Sequence, residues 1–263
     1  MTQPAIEQGF DTERAQAFAA RLLETINHGA LTLMVSIGHR TGLFDTLRTL
    51  DPASSTEIAA AAKLNERYVR EWLGAMVTGG VVEYDPETKR YWLPAEHAAS
   101  LTRAANADNM AVFAQYIPTL AAVEDDIVHC FRHGGGVPYS KYPRFHEVMA
   151  EDSGQSVLSS LESHILPLVP GVTDQLDRGI RVLDAGCGRG RILLRLAELY
   201  PRSRFTGIDL SAEAIEYARD AARAHGAGNV EYVVADLSDF DQWAEPDAFD
   251  LITAFDAIHD QAK

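Results

Sequence analysis

The sequence predicts an α/β chain in which a mostly helical N-terminal region with a winged-helix element precedes a parallel, doubly wound sheet. Two observations carry this. After two helical segments from residue 11, residues 54–93 run helix, tight turn, helix, β-hairpin, and residues 180–258 alternate β-prone runs with helical runs, the first followed at once by a glycine-rich loop. Each element has its own local warrant.

Asp11 is placed to cap a helix in which Phe18, Leu22, Leu23 and Ile26 share one face, and a second apolar segment follows through Leu31, Met34, Val35, Leu43, Phe44 and Leu47. Ser54 and Glu57 have capping-box spacing ahead of the run Ile58 to Ala62. Asn65 caps the next helix, where Val69, Trp72, Leu73 and Met76 fall at i, i+3, i+4 and i+7, and Gly79-Gly80 ends it. The runs 81–84 and 89–93 flank Asp85-Pro86-Glu87-Thr88 and read as a hairpin. Residues 104–170 read as mostly helical, with a break at Pro118, a flexible Gly134-Gly135-Gly136, and an aromatic, proline-containing loop at 137–146 that either packs or lines a pocket. Val157, Leu158, Leu161 and Ile165 form a core-facing stripe.

Composition bounds the function. The 263 residues are 46% hydrophobic and 23% charged, an ordinary globular balance, with formal net charge −15. That charge repels polyphosphate, so neither nucleic acid nor an anionic membrane is an expected partner. The winged helix could read DNA, but residues 1–105 hold 10 Lys and Arg against 13 Asp and Glu, and Glu66, Arg67, Arg70 and Glu71 cancel on the second helix. The alternative is a dimerising or substrate-covering module. Cys130 and Cys187 have no metal-ligand spacing, so no metal site is expected and free thiols are. The N-terminus lacks the features of a signal peptide, and the run Ala30 to Ile37 is too short to span a bilayer, so the expectation is a soluble cytoplasmic protein.

The chemistry lies after residue 180. The strand Ile180 to Asp184 leads into Ala185-Gly186-Cys187-Gly188-Arg189-Gly190 and a helix from Arg191 to Leu199. Such a turn lets backbone N–H groups approach a ligand. Arg191 stands where the dinucleotide fingerprint wants its last glycine, and no Gly-Lys-Ser/Thr follows, so neither that fingerprint nor a P-loop fits. A second strand, Arg204 to Ile208, ends at Asp209, 25 positions after Asp184, where a carboxylate can accept from both hydroxyls of a ribose. Ser211 caps a helix from Ala212 to His225. Third and fourth strands, Val230 to Val234 and Phe249 to Ala254, lead into Ala235-Asp236-Leu237 and Phe255-Asp256-Ala257-Ile258-His259. The arrangement is Rossmann-like, with ligand expected at the carboxyl ends of the strands.

Val182-Leu183-Asp184-Ala185-Gly186-Cys187-Gly188-Arg189-Gly190, then Gly207-Ile208-Asp209-Leu210-Ser211, then Ala235-Asp236-Leu237, resemble class I S-adenosylmethionine-dependent methyltransferases over about residues 172–263. The winged helix and helical middle are similar to a bacterial-type subgroup acting on small molecules, in which that module supports homodimers and closes over substrate. The resemblance implies S-adenosyl-L-methionine as cofactor and a small-molecule acceptor. It implies that Asp184 orients the methionine amino end, and that Gly186, Cys187, Gly188 and Gly190 pack on the methionyl and ribose portion. Asp209 would bind the ribose, Leu210 pack on adenine, Asp236 with Leu237 meet the adenine edge, and Phe255 line the methionyl part. A hydroxyl acceptor also needs a base; His259, just past the fourth strand, is the candidate, with His146 and His164 behind it.

The expected organisation is a winged-helix domain of dimerisation type at 1–103, a helical connector and substrate lid at 104–170, and an S-adenosylmethionine-binding domain at 171–263. The family's sheet continues through three more strands, so this sheet is expected to be partial, truncated after its fourth strand, with Phe249 to Ala254 at an exposed edge and turnover weakened. Competing functions are a non-catalytic cofactor-binding or dimer-partner protein, and a winged-helix regulator.

Overall fold

The computed structural model describes residues 10–240 and 244–258. The chain divides into two compact units, Met1–Ala105 with Phe113–Ile117, and Asn106–Val112 with Pro118–Lys263.

In the first unit, α1 (Thr12–Thr41) is capped by Asp11, whose carboxylate accepts from the Arg14 N–H at 3.0 Å. The two apolar segments of the sequence are here one continuous helix as far as Gly42, which adopts a left-handed conformation and starts α2 (Leu43–Thr49). The Ser54–Glu57 capping box is formed at the head of α3 (Ser55–Ala62), and Asn65 caps α4 (Glu66–Thr78). The α4 stripe Val69, Trp72, Leu73 and Met76 is buried with Phe44 and Ile58. The Trp72 indole donates to the Met34 carbonyl at 2.8 Å and meets the Phe44 ring edge-on, which satisfies its polar edge while burying its faces. The hairpin is shorter than its β-prone runs: β1 (Glu83–Asp85) pairs antiparallel with β2 (Arg90–Trp92), before α5 (Ala95–Leu101). On α4 the charges cancel in place, Arg70 lying 3.3 Å from Glu66 and Arg67 lying 4.0 Å from Glu71.

The break expected at Pro118 falls earlier. A 3-10 segment, Met110–Gln115, passes into α6 (Tyr116–Ala121), with Pro118 in its first turn, where a missing N–H costs no helical bond.

The second unit continues with α7 (Glu124–His133), which stops at Gly134, and α8 (Phe145–Ser153). The stripe from Val157 to Ile165 is carried by two five-residue π-helical turns, Gly154–Leu158 and Leu161–Ile165, rather than one α-helix; Leu161 is fully buried. After α9 (Val172–Arg178) come β3 (Arg181–Ala185), α10 (Arg191–Leu199), β4 (Arg204–Asp209), α11 (Ala212–His225), β5 (Val230–Val234) and β6 (Leu251–Thr253). The strands are parallel, in the order β5-β4-β3-β6. The core holds Val182, Leu193, Leu196, Phe205 and Ile215, so both α10 and α11 press apolar faces on the sheet. Register places Asp184 of β3 beside Gly207 of β4 and Thr253 of β6, aligning the strand tips.

Candidate functional site

The glycine loop is hung from the neighbouring strand. The Gly186 and Cys187 N–H groups both donate to the Ile208 carbonyl, at 2.8 and 3.0 Å, and the Gly188 N–H donates to Asp209 Oδ2 at 2.8 Å. Asp209 Oδ1 accepts from the Ser211 N–H at 2.8 Å. A carboxylate offers about four acceptor positions, so two backbone bonds orient Asp209 and leave capacity for a ligand. Below the loop, Gly190 has φ +68°, and a Cβ on it would lie 2.4 Å from the Tyr232 ring. The loop therefore needs glycine there both for its backbone conformation and for its contact with the sheet.

Asp184 is 2% exposed and accepts from the Thr253 hydroxyl at 2.8 Å. Burial pushes its carboxyl up to about 7, against the Thr253 hydrogen bond, and the nearby Asp209 charge adds to the rise. The Cys187 thiol is also pushed up, first by burial and then by Asp184 and Asp209. It is a protonated filler rather than a nucleophile.

These groups open on a cavity of about 630 Å³, within the usual range for small-molecule sites. All ten residues singled out for the cofactor line it: Asp184, Gly186, Cys187, Gly188 and Gly190 from the first turn, Asp209 and Leu210 from the second, Asp236 and Leu237 from the third, and Phe255 from the fourth. Asp236 accepts from the Ser238 N–H at 2.8 Å, and Leu210 is 61% exposed. His259 lies outside the described residues. His146 lines the cavity; His164 does not, and its Nδ1 sits 2.7 Å from the Ser163 hydroxyl.

The opposite wall comes from α8 and the loop before it. Tyr139 stacks on Phe145 with centroids 5.0 Å apart, and His146 meets Phe145 edge-on at 5.4 Å. Met149, Ala150 and Ser153 extend this wall one and two turns along. Sequence reasoning had the loop as one of two alternatives and missed the helix. Its only signal was the i, i+4 spacing of Phe145 with Met149, which a core-facing helix shares. Arg191, which in the sequence breaks the dinucleotide fingerprint and starts a helix, lines the cavity too.

Comparison with known proteins agrees with this layout. Residues 29–103 match the model of the Rv2258c-like winged HTH domain, and residues 176–263 match a methyltransferase domain. Among curated proteins, (S)-coclaurine N-methyltransferase of Thalictrum flavum subsp. glaucum is 35% identical over 78 residues, which are 30% of this chain and 21% of that protein. Trans-aconitate 2-methyltransferase of Azoarcus sp. (strain BH72) is 39% identical over 79 residues, 30% of this chain and 28% of that one. The chain thus spans between a fifth and a third of the length of these relatives. Two solved structures share its fold over nearly its whole length. Mitomycin 7-O-methyltransferase MmcR has TM-score 0.61 at 21% identity, covering 95% of this chain and 74% of its own. Human N-acetylserotonin methyltransferase in complex with SAM has TM-score 0.61 at 18% identity, covering 98% and 74%. The chain thus carries a region matching a winged helix-turn-helix domain, followed by one matching a methyltransferase domain.

Proposed function

We propose that the cavity at the strand tips binds S-adenosyl-L-methionine and that the protein transfers its methyl group to a small-molecule acceptor. The observation that carries this reading is the convergence of Asp184, the glycine loop, Asp209 and Asp236 on one cavity, in chain order along adjacent parallel strands. The fit is physical as well as positional. The loop presents bare backbone at its three glycines, Asp209 keeps acceptor capacity beside the loop it orients, and buried Asp184 suits a cationic amino end.

When bound, the cofactor supplies an already activated methyl group on its sulfonium. The protein's part is then to hold and orient. Asp209 anchors the ribose, Leu210 and Leu237 cover the adenine, Asp236 meets its edge, and Phe255 lines the methionyl side. Tyr139, Phe145 and Met149 give the acceptor an apolar wall that fixes its approach, which is most of what methyl transfer asks of a site. For a hydroxyl acceptor, His146 is the base that the described cavity offers. Of the segment 104–170 expected as connector and lid, residues 118–170, all in the second unit, serve as the acceptor-side lid. The N-terminal module serves as a homodimer contact rather than a DNA reader, supported by the self-cancelling charges of α4 and by the exposed apolar face of α1. Calorimetric titration with S-adenosylmethionine and S-adenosylhomocysteine tests the central claim: saturable one-site binding is expected, and absence of heat and of thermal protection with both ligands would overturn it.

A further inference from the structure

We propose that the Arg191 guanidinium is a carboxylate-binding group of this cavity, and that it takes the carboxylate at the methionyl end of S-adenosylmethionine. The inference rests on the cofactor reading above and adds a residue to it.

The charged side chains around the cavity are unequal in what they have left to offer. Asp184, Asp209, Asp236 and Asp256 line it, so its fixed charge is largely negative. Two arginines answer them. Arg189 is already engaged: its Nη2 lies 2.5 Å from Glu213 and its guanidinium sits 4.4 Å over the Tyr217 ring. Arg191 has no carboxylate partner among the described residues. One nitrogen donates to the Ala150 carbonyl of α8 at 2.5 Å, and the rest of the planar fork is uncommitted.

That one bond comes with a second restraint. A Cβ on Gly154 would lie 2.4 Å from Arg191 Nη1, so the guanidinium rests on bare backbone where any side chain would collide with it. Arg191 is therefore held at the rim of the glycine loop, immediately after Gly190, by two contacts that do not consume its charge. A fixed fork with unused N–H groups matches a carboxylate in two parallel bonds.

The ligand's own chemistry supplies the complement. Its methionyl end is zwitterionic, and a site that takes the ammonium with an aspartate still has a carboxylate to satisfy. In a cavity whose other fixed charges are mostly acidic, that carboxylate is repelled everywhere except at the uncommitted cation. Arg191 starts α10, directly after the loop that β3 leads into, and the groups assigned to ribose and adenine end or follow β4 and β5. Because the same guanidinium holds Ala150, cofactor carboxylate and lid helix would share one side chain.

The test compares two ligands that differ in this end alone. S-adenosylhomocysteine carries the amino-acid end; 5′-methylthioadenosine keeps the adenosine and thioether and lacks it. Calorimetric dissociation constants would be measured on the full chain for wild type, Arg191→Ala, Arg191→Lys and Arg191→Gln. The expected result is a loss of about 10- to 100-fold for S-adenosylhomocysteine in Arg191→Ala. 5′-Methylthioadenosine affinity should stay within about twofold, which also reports that the variant is folded. Arg191→Lys should recover part of the loss and Arg191→Gln little of it. Equal losses for both ligands would mean that Arg191 acts only through Ala150, and unchanged S-adenosylhomocysteine affinity would mean that it touches no carboxylate; either result overturns the inference while leaving the cofactor reading intact. Should Arg191→Ala fail to fold, the Arg191→Lys and Arg191→Gln pair decides by the same comparison. Failure of wild type to bind either ligand would instead remove the cofactor reading, and this inference with it.

Discussion

The Tyr232 hydroxyl donates to the Gly190 carbonyl at 2.9 Å, inside the protein, so the third strand of the sheet carries the end of the glycine loop on an aromatic ring. The same carbonyl accepts from the Leu194 N–H at 2.9 Å, which fixes the start of α10. Tyr232→Phe should keep the ring and lose one hydrogen bond, a cost of about 0.5–1.5 kcal/mol. Gly190→Ala should cost more, because it adds a left-handed alanine and a collision with that ring. Thermal unfolding should rank wild type above Tyr232→Phe above Gly190→Ala. The reverse order of the two variants would show that the loop does not depend on this contact.

Asp209 should matter to ligand affinity more than to folding. Its Oδ1 and Oδ2 each serve one backbone N–H at a half-buried strand end. Removing charge-assisted bonds to a ligand costs roughly 1.5–3 kcal/mol, so Asp209→Ala should weaken S-adenosylhomocysteine about 10- to 150-fold. Equal calorimetric affinity for Asp209→Ala and wild type would remove Asp209 from the ribose assignment.

Asp184 gives a pH dependence of defined sign. Its carboxyl stands at about 7 in the folded chain against an ordinary value of 3.8. The native state then holds a proton that the unfolded chain has released, so this group's contribution to stability is full below about pH 4 and is lost as pH rises to about 7. Asp184→Asn should flatten that slope and raise the unfolding temperature at pH 8. A cationic ligand end favours the charged carboxylate, so S-adenosylmethionine should bind more tightly as pH rises through the same window, and Asp184→Asn should lose this gain. Calorimetric scans between pH 5 and 8, with and without ligand, check both; identical slopes in the variant would contradict the assignment.

The face of α1 formed by Phe18, Leu22, Leu23 and Ile26 is 48–61% exposed on each side chain. Covering such side chains is favourable by up to about 1.5–3 kcal/mol apiece, and a second copy of α1 is the partner that the homodimer reading names. Light scattering at tens of micromolar should give a dimer mass for wild type and a lower mass for Leu22→Glu combined with Leu23→Glu, whose helix content should be unchanged. A monomeric wild type would refute this.

How far the sequence could be read depended on whether the signal was local. The caps at Asp11, Ser54, Asn65 and Ser211 are hydrogen bonds spanning two or three residues, and all four form as read. The bounds Arg191–Leu199 and Ala212–His225 also match, because their apolar stripes face a sheet that covers them. Readings that needed tertiary information fared differently. The face shared by Phe18, Leu22, Leu23 and Ile26 has helical spacing, yet it is exposed, since periodicity tells which residues align and not what covers them. The stripe from Val157 to Ile165 keeps its buried Leu161 while its backbone widens to π-turns. At the site, residues next to glycines and strand ends were legible. The α8 wall and Arg191 were not, because their meaning depends on tertiary contacts: Arg191 meets Ala150 and Gly154 about forty positions away in the chain, and α8 faces strand tips that come later still.

The raised Cys187 thiol bears on how this protein meets oxidants. Peroxides attack the thiolate, and burial beside two carboxylates keeps that species scarce at neutral pH. A cysteine in the middle of a ligand-binding turn would otherwise invite sulfenic acid at the site and couple function to redox state. Here the sulfur serves as a small apolar filler, and peroxide at neutral pH should leave the turn chemically unchanged.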